Sequence, residues 1–371
     1  MDSLMDYVQW MGDFPIAATG FRDADALVLC TLSYFDLSPV FSAQSLSPAV
    51  TDCLPFLEKG KLKVMITGGT ESYIALFKLA AASRRFGALH MSDYSDIRRQ
   101  NPPLQFSAVC FHDDAGLSFL AYRGTDNSLS GWKEDFMISF TCTEAQWLAL
   151  RYAEEHVTPG GRAWYIFGHS KGANLALYAS CLLTETKREA IRRVYLFDGP
   201  GFCPEVLDLK LIDRIRDRTT QLLPSFCVVG KLFALSIPDT RIVSSSATGL
   251  LQHGIITWGI DHGKPALSPA HDPVSLIINE ALDNWVTNIP QENRKPFIDE
   301  LFEALTASGA ETLDQIQAAG LEGLEPMYRR LSEFSPLTRR LLSDLPKYAL
   351  KAQMDDLRKK FSTELENRLK R

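Results

Sequence analysis

A chain of 371 residues with a formal net charge of −6 and 46% hydrophobic residues has ordinary globular composition. It is long enough for one large α/β domain plus an accessory region. The mildly acidic balance argues against nucleic acid as the main partner, because neutralising phosphates takes clustered Lys and Arg; basic runs such as Arg339-Arg340 and Lys359-Lys360 have acidic residues nearby. No stretch approaches the roughly 20 uninterrupted apolar residues of a membrane span.

The opening, Met1 to Phe14, carries Asp2, Asp6 and Asp13 and lacks the basic and apolar regions of a secretory signal, so a cytoplasmic location is expected. The longest early apolar run, Ala24 to Thr31, contains Asp25 and is the length of a strand. Seven cysteines, at 30, 53, 110, 142, 181, 203 and 227, are dispersed without a C-x-x-C pair. They read as buried free thiols, neither a disulfide framework nor a zinc site.

Strands are expected at Gln105–His112 and Ser118–Arg123, joined as a hairpin by Asp113-Asp114-Ala115-Gly116. A helix over Thr143–His156 follows, with Ala145, Leu148, Leu150 and Ala153 apolar. Ala163–Phe167 reads as a buried strand running into Gly168, and Lys171–Leu183 as a helix with a broad Ala/Leu face. Further strands fall at Arg193–Phe197, Thr219–Leu223 and Thr240–Ser246. This alternation predicts an α/β architecture, a mostly parallel sheet with helices on both faces.

Near residue 290 the chain becomes helix-forming and charge-rich. Helices are expected over Asn293–Leu305, Leu313–Ala318, Gly323–Glu333 and from Leu337 onward. The expected organisation is an α/β domain over 1–290 and a helical region over 291–371. Insertions within 39–104 and 203–238 could cap a site.

The chemistry centres on Gly168-His169-Ser170-Lys171-Gly172. A serine hydroxyl is a weak nucleophile unless it is exposed and placed beside a base. G-x-S-x-G between an apolar strand and a helix supplies the exposure, because small residues on both sides allow a tight turn. Ser170 is therefore the expected nucleophile, the bland alternative being a helix cap. His169, adjacent on the same turn, is expected to pack or to shape the pocket. The Lys171 N–H is the expected first oxyanion donor. Tyr122-Arg123-Gly124-Thr125-Asp126, on the loop after an earlier strand, offers the second through Thr125.

At this point the residues resemble a family. Leu120-Ala-Tyr-Arg-Gly-Thr125, followed by Trp132-Lys-Glu-Asp135, is similar to the RGT…W…D segment that precedes the GHS-x-G turn of class 3 lipases. The resemblance implies an α/β-hydrolase fold and assigns the second oxyanion donor to Thr125. The combination also resembles a bacterial family of predicted hydrolases of unknown function, from Met5 to about Trp285, including the opening Tyr7-x-x-Trp10-x-Gly12-Asp13.

In this fold the order along the chain is Ser, then Asp or Glu, then His. Asp198 ends the first strand after the nucleophile helix. Leu196-Phe-Asp-Gly-Pro-Gly-Phe202 is similar to the strand-end LDP segment that carries the acid in pancreatic-type lipases. Class 3 lipases place the acid one strand later, where this chain has Pro224-Ser225 and no carboxylate. Asp198 is the expected acid and Asp239 the alternate. Of the three histidines that follow, His253 lies just beyond the last strand and resembles the family's QH position. His271, before Asp272-Pro273, is the alternate, and His262 suits a turn.

The expected activity is hydrolysis of an acyl ester through an acyl-enzyme; a thioester or amide would use the same groups. A binding or scaffold role without catalysis is the competing reading. No metal or organic cofactor is called for, since G-x-x-x-x-G-K-[ST] and G-x-G-x-x-G are both absent. Phe226–Leu235 and Ile255–Trp258 could serve as lids at a lipid surface, although burial in the core or pocket is the preferred reading.

Overall fold

The computed structural model describes residues 1–306 apart from 44–46, 67–68, 103, 127–132, 134–136, 140 and 288, and beyond these 309, 333–336 and 338–340. Side chains along a strand alternate between its two faces, and here both faces are covered. On β3 (Leu117–Tyr122), Phe119 and Ala121 enter one hydrophobic core while Leu120 and Tyr122 enter another. β2 (Leu104–His112) divides the same way, Val109 and Phe111 against Phe106, Ala108 and Cys110. A sheet buried on both sides draws apolar residues to both faces, which is why these strands read as mostly apolar runs.

The sheet has seven strands lying side by side in chain order. β1 (His90–Arg99), β2 and β3 form an antiparallel meander. β4 (Ala163–His169), β5 (Ile191–Phe197), β6 (Thr219–Pro224) and β7 (Asp239–Val243) continue parallel to β3. The β2–β3 hairpin closes as the sequence suggests: the Asp113 carboxylate accepts from the N–H groups of Ala115 (3.0 Å) and Leu117 (2.7 Å), and Gly116 takes φ 94°.

Helices α1 (Leu4–Met11), α2 (Asp23–Leu32) and α3 (Thr70–Ala82) cover the first face. The crossover helices α4 (Glu144–His156) and α5 (Lys171–Leu182) cover the second. Within 39–104, Val40, Val50, Leu57 and Phe77 are built into the first core. Within 203–238, Leu207, Ile212, Ile215 and Ile237 are built into the second.

Two elements differ from the sequence expectation. The strand-length run Ala24–Thr31 is the body of α2, buried on every side, so no polar stripe marks it as a helix. Its start is fixed when the Asp25 carboxylate accepts the Arg22 N–H (2.7 Å). The strand β1 is too polar to stand out: an edge strand with one neighbour can carry Asp93, Asp96, Arg98 and Arg99. In the C-terminal region, Gln291–Thr306 is the helix expected over Asn293–Leu305. The three helices expected beyond it fall almost entirely outside the described residues.

Candidate active site

Ser170 joins β4 to α5 in a conformation that side chains rarely adopt, φ 56° and ψ −127°. Such a backbone costs on the order of 1–3 kcal/mol and persists only where the surroundings hold it. Here the Ser170 N–H donates to the Phe197 carbonyl of β5 (2.9 Å). Two glycines make the turn possible. A methyl at Gly168 would sit 2.2 Å from the Gly172 carbonyl, and one at Gly172 would sit 2.2 Å from the Tyr122 oxygen. Ser170 makes no side-chain capping hydrogen bond to the helix it precedes.

Asp198 follows β5 directly, at the carboxyl edge of the sheet, also with positive φ (43°) and buried. Its Oδ2 receives the Nδ1–H of His253 at 2.6 Å. Its Oδ1 accepts from the Gly230 N–H and the Cys227 thiol, both at 3.0 Å. Burial pulls the Asp198 pKa up, but the hydrogen bond and charge of His253 and the Cys227 bond outweigh it and hold the acid below its usual range. The Cys227 thiol is pushed up by burial and the adjacent carboxylate, so it stays protonated and donates. With Nδ1–H committed to the carboxylate, a neutral His253 keeps its lone pair on Nε2.

A buried strut ties His253 to the serine turn. The His253 carbonyl can only accept, so His169 Nε2 donates to it (2.8 Å), and His169 Nδ1 accepts the Tyr34 hydroxyl (2.7 Å). The two imidazole rings lie 4.5 Å apart. Gly124 runs against the same place: a methyl there would meet the Tyr34 hydroxyl at 2.2 Å, the His169 carbonyl at 2.6 Å and Ser170 Cβ at 3.3 Å. Thr125 therefore enters beside the serine, half-buried. The Lys171 ammonium points away, buried, donating to the Gln105 carbonyl (2.9 Å) and to its Oε1 (3.2 Å). That same Oε1 accepts the Asp126 N–H (3.2 Å), linking the Thr125 loop to the start of α5.

Of the alternates, Asp239 lies away from the serine turn, whereas His271 stands close enough to Asp198 for the carboxylate charge to act on its ring. Asp239 begins β7 beside Thr220 at the start of β6, at the amino edge of the parallel strands, and is paired with Arg241 and Arg193. His271 Nδ1 faces the carbonyls of Pro224 and Ser225, at 3.2 and 3.3 Å. His262, with φ 48°, pairs with Asp261 on the surface. Neither lid candidate stands clear of the body. Phe226–Leu235 supplies Cys227 and Gly230 as a collar around Asp198, while Ile255 and Trp258 are buried. Trp132 and Asp135 of the RGT…W…D segment fall outside the described residues.

Tyr34 and Gln105 had no site role in the sequence reading, and Cys227 and Gly230 had one only as part of the lid candidate Phe226–Leu235. Each comes from a segment distant in sequence from the residue it contacts, so no local spacing points to it.

Burial, with the neighbouring His253, lowers the His169 pKa from 6.5 to about 3, so its ring is neutral when folded. Below pH 6.5 the unfolded chain takes up a proton that the folded ring refuses. This contribution to stability is thus complete above pH 6.5 and is lost as the pH falls towards 3, at up to about 1.4 kcal/mol per pH unit. Asp198 titrates with the same sign, but only below its unfolded value of 3.8. Urea unfolding between pH 7 and 4 should show this slope in wild type and a flatter one in His169→Gln; equal slopes would refute the assignment.

A mostly parallel seven-stranded sheet flanked by helices, with a strand–Ser–helix turn at its carboxyl edge, defines an α/β-hydrolase fold. The Mbeg1-like family model matches residues 80–303, more than half of the chain, and the chain belongs to that lipase-like family. Among solved structures, the crystal structure of M37 lipase is similar, with TM-score 0.35 and 16% identity over 57% of this chain and 70% of that one. No curated protein matches the chain.

Proposed function

We propose that this chain is a serine hydrolase that cleaves acyl esters. The observation that carries the proposal is the 2.6 Å bond between His253 Nδ1 and a buried, ionised Asp198, tied through His169 to a serine in a strained turn. His253 Nε2 takes the proton of Ser170 as Oγ attacks the ester carbonyl. The resulting oxyanion is met by the N–H groups of Lys171 and Thr125, and Asp198 stabilises the imidazolium. Collapse expels the alcohol, which takes the proton back from His253, leaving an acyl group on Ser170. Water, activated by the same imidazole, releases the carboxylic acid and restores the serine. The same sequence of steps would cleave a thioester or an amide.

On this reading residues 1–290 form the catalytic unit, with 39–104 and 203–238 shaping its entrance, and 291–371 are a helical appendage. Seven free cysteines suit a reducing, cytoplasmic setting. Among the described residues no helix is long and apolar enough to cross a membrane.

A fluorophosphonate probe tests the proposal directly. Wild type should be labelled and Ser170→Ala should not. Failure of both to react would favour a binding or scaffold protein built on the same fold.

A further inference from the structure

A second cluster of reactive side chains lies at the other end of the sheet, where β2 ends and β3 begins. Asp93, Cys110 and His112 each direct one ligand-type atom to a common point, all within 4.8 Å of one another. His156, the last residue of α4, brings Nδ1 to 3.5 Å from the Asp93 carboxylate. We propose that Asp93, Cys110, His112 and His156 form a binding site for a divalent cation of the zinc class.

The donor set suits that ion. One thiolate, one carboxylate and two imidazoles make a four-coordinate N, S and O shell, and their charges cancel those of a dication. Zinc–ligand bonds of about 2.0–2.3 Å put tetrahedral ligands roughly 3.3–3.8 Å apart, so Asp93, Cys110 and His112 must contract by about 1 Å, and His156, which stands outside that group of three beside Asp93, must swing in further. The backbone of β1 helps to form the cluster. Asp93 sits in the register shift between Ser92 and Ser95, with φ 58°, and this bulge brings its carboxylate beside Cys110 and His112. Supporting groups stand behind the ligands. Ser118 Oγ lies 2.8 Å from His112 Nδ1, where it can accept from a ring whose Nε2 holds a metal. Tyr152 donates to the Asp93 carbonyl (2.7 Å) and lies 3.6 Å from the Cys110 sulfur.

The metal-free network also shows what binding must displace. Ser92 Oγ bridges the Asp93 carboxylate (2.6 Å) and His112 Nε2 (2.7 Å), close to where an ion would sit. Ser92 Oγ must give up that bridge when an ion binds. Metal binding converts the Cys110 thiol to a metal thiolate and releases its proton to solvent. Arg162, which donates to Ser118 Oγ (2.6 Å), is the one cation we find bonded to this network among the described residues, and it stands behind the supporting serine.

Cobalt(II) is a suitable probe for the full chain. Titration should produce a thiolate-to-cobalt charge-transfer band and visible bands of tetrahedral intensity, with one equivalent bound and displaced by zinc. Cys110→Ser should abolish the charge-transfer band. His156→Gln, at a partly exposed position where folding is not at stake, should weaken cobalt binding at least about 10-fold. Ser92→Ala should leave binding intact or tighten it. Absence of a charge-transfer band in wild type, or an equal band in Cys110→Ser, would overturn the proposal, as would unchanged affinity in His156→Gln. Fluorophosphonate labelling of Ser170 is a separate readout: wild type that binds cobalt but resists labelling would sink the hydrolase reading and leave this site standing.

Discussion

Asp198→Asn is expected to lower kcat for ester hydrolysis about 10⁴-fold while leaving KM nearly unchanged. The reason lies in how the two carboxylate oxygens are occupied. Oδ1 receives two donors, the Gly230 N–H and the Cys227 thiol, so the oxygen of an asparagine stays on that side. Its amide NH₂ then faces His253 Nδ1, which must accept, and the ring proton moves to Nε2. An imidazole carrying its proton on Nε2 cannot deprotonate Ser170. Since Asp198 is only 1% exposed, substrate does not touch it, and KM has no reason to move. Steady-state kinetics on a short-chain nitrophenyl ester would measure the effect, with Asp239→Asn as the comparison. That residue, at the opposite edge of the sheet, should stay within about twofold of wild type. A Asp198→Asn variant retaining a tenth of the wild-type kcat would remove Asp198 from the mechanism.

Much of this site is legible in the sequence because its parts are punctuated locally. Gly168 and Gly172 flank Ser170 because the turn leaves no room for a side chain, and the strand before it and the helix after it carry unmistakable patterns. Asp198 and His253 are found by their order along the chain, and they prove to be hydrogen-bonded to each other. What could not be read depends on distance across the fold. Tyr34 is 135 positions from the His169 ring it contacts, and its hydroxyl lies against Gly124. Nothing near Tyr34 in sequence announces this. The polar edge strand β1 escaped for a different reason: with one neighbour and an exposed flank it needs no apolar alternation. Helix α2 was obscured by the opposite condition, burial on all sides, where a helix and a buried strand have the same composition.

Helix α2 also explains the second large effect. Arg85→Met is expected to destabilise the fold by about 3–5 kcal/mol, the usual result of leaving one member of a buried ion pair behind. Arg85 and Asp25 are both fully buried and meet through two hydrogen bonds. The same guanidinium donates to the carbonyls of Phe14 (2.9 Å) and Gly20 (2.8 Å) and to the Thr19 hydroxyl (2.8 Å), so it holds the whole segment between α1 and α2. Asp25 in turn accepts the Tyr7 hydroxyl (2.7 Å) and the Arg22 N–H (2.7 Å). Removing the cation strands a carboxylate among apolar side chains. Replacing both partners, as Arg85→Met with Asp25→Leu, should recover only part of the loss: no unpaired charge remains, but the Phe14 and Gly20 carbonyls and the Tyr7 hydroxyl lose their partners. Urea unfolding of the two single variants and the double variant gives the coupling; a loss under about 1 kcal/mol in Arg85→Met would refute this account. The consequence extends to the site, since α2 runs into Tyr34, whose hydroxyl orients His169 and through it the backbone of His253. A variant with a loosened α2 should therefore lose activity at temperatures where its sheet is still folded.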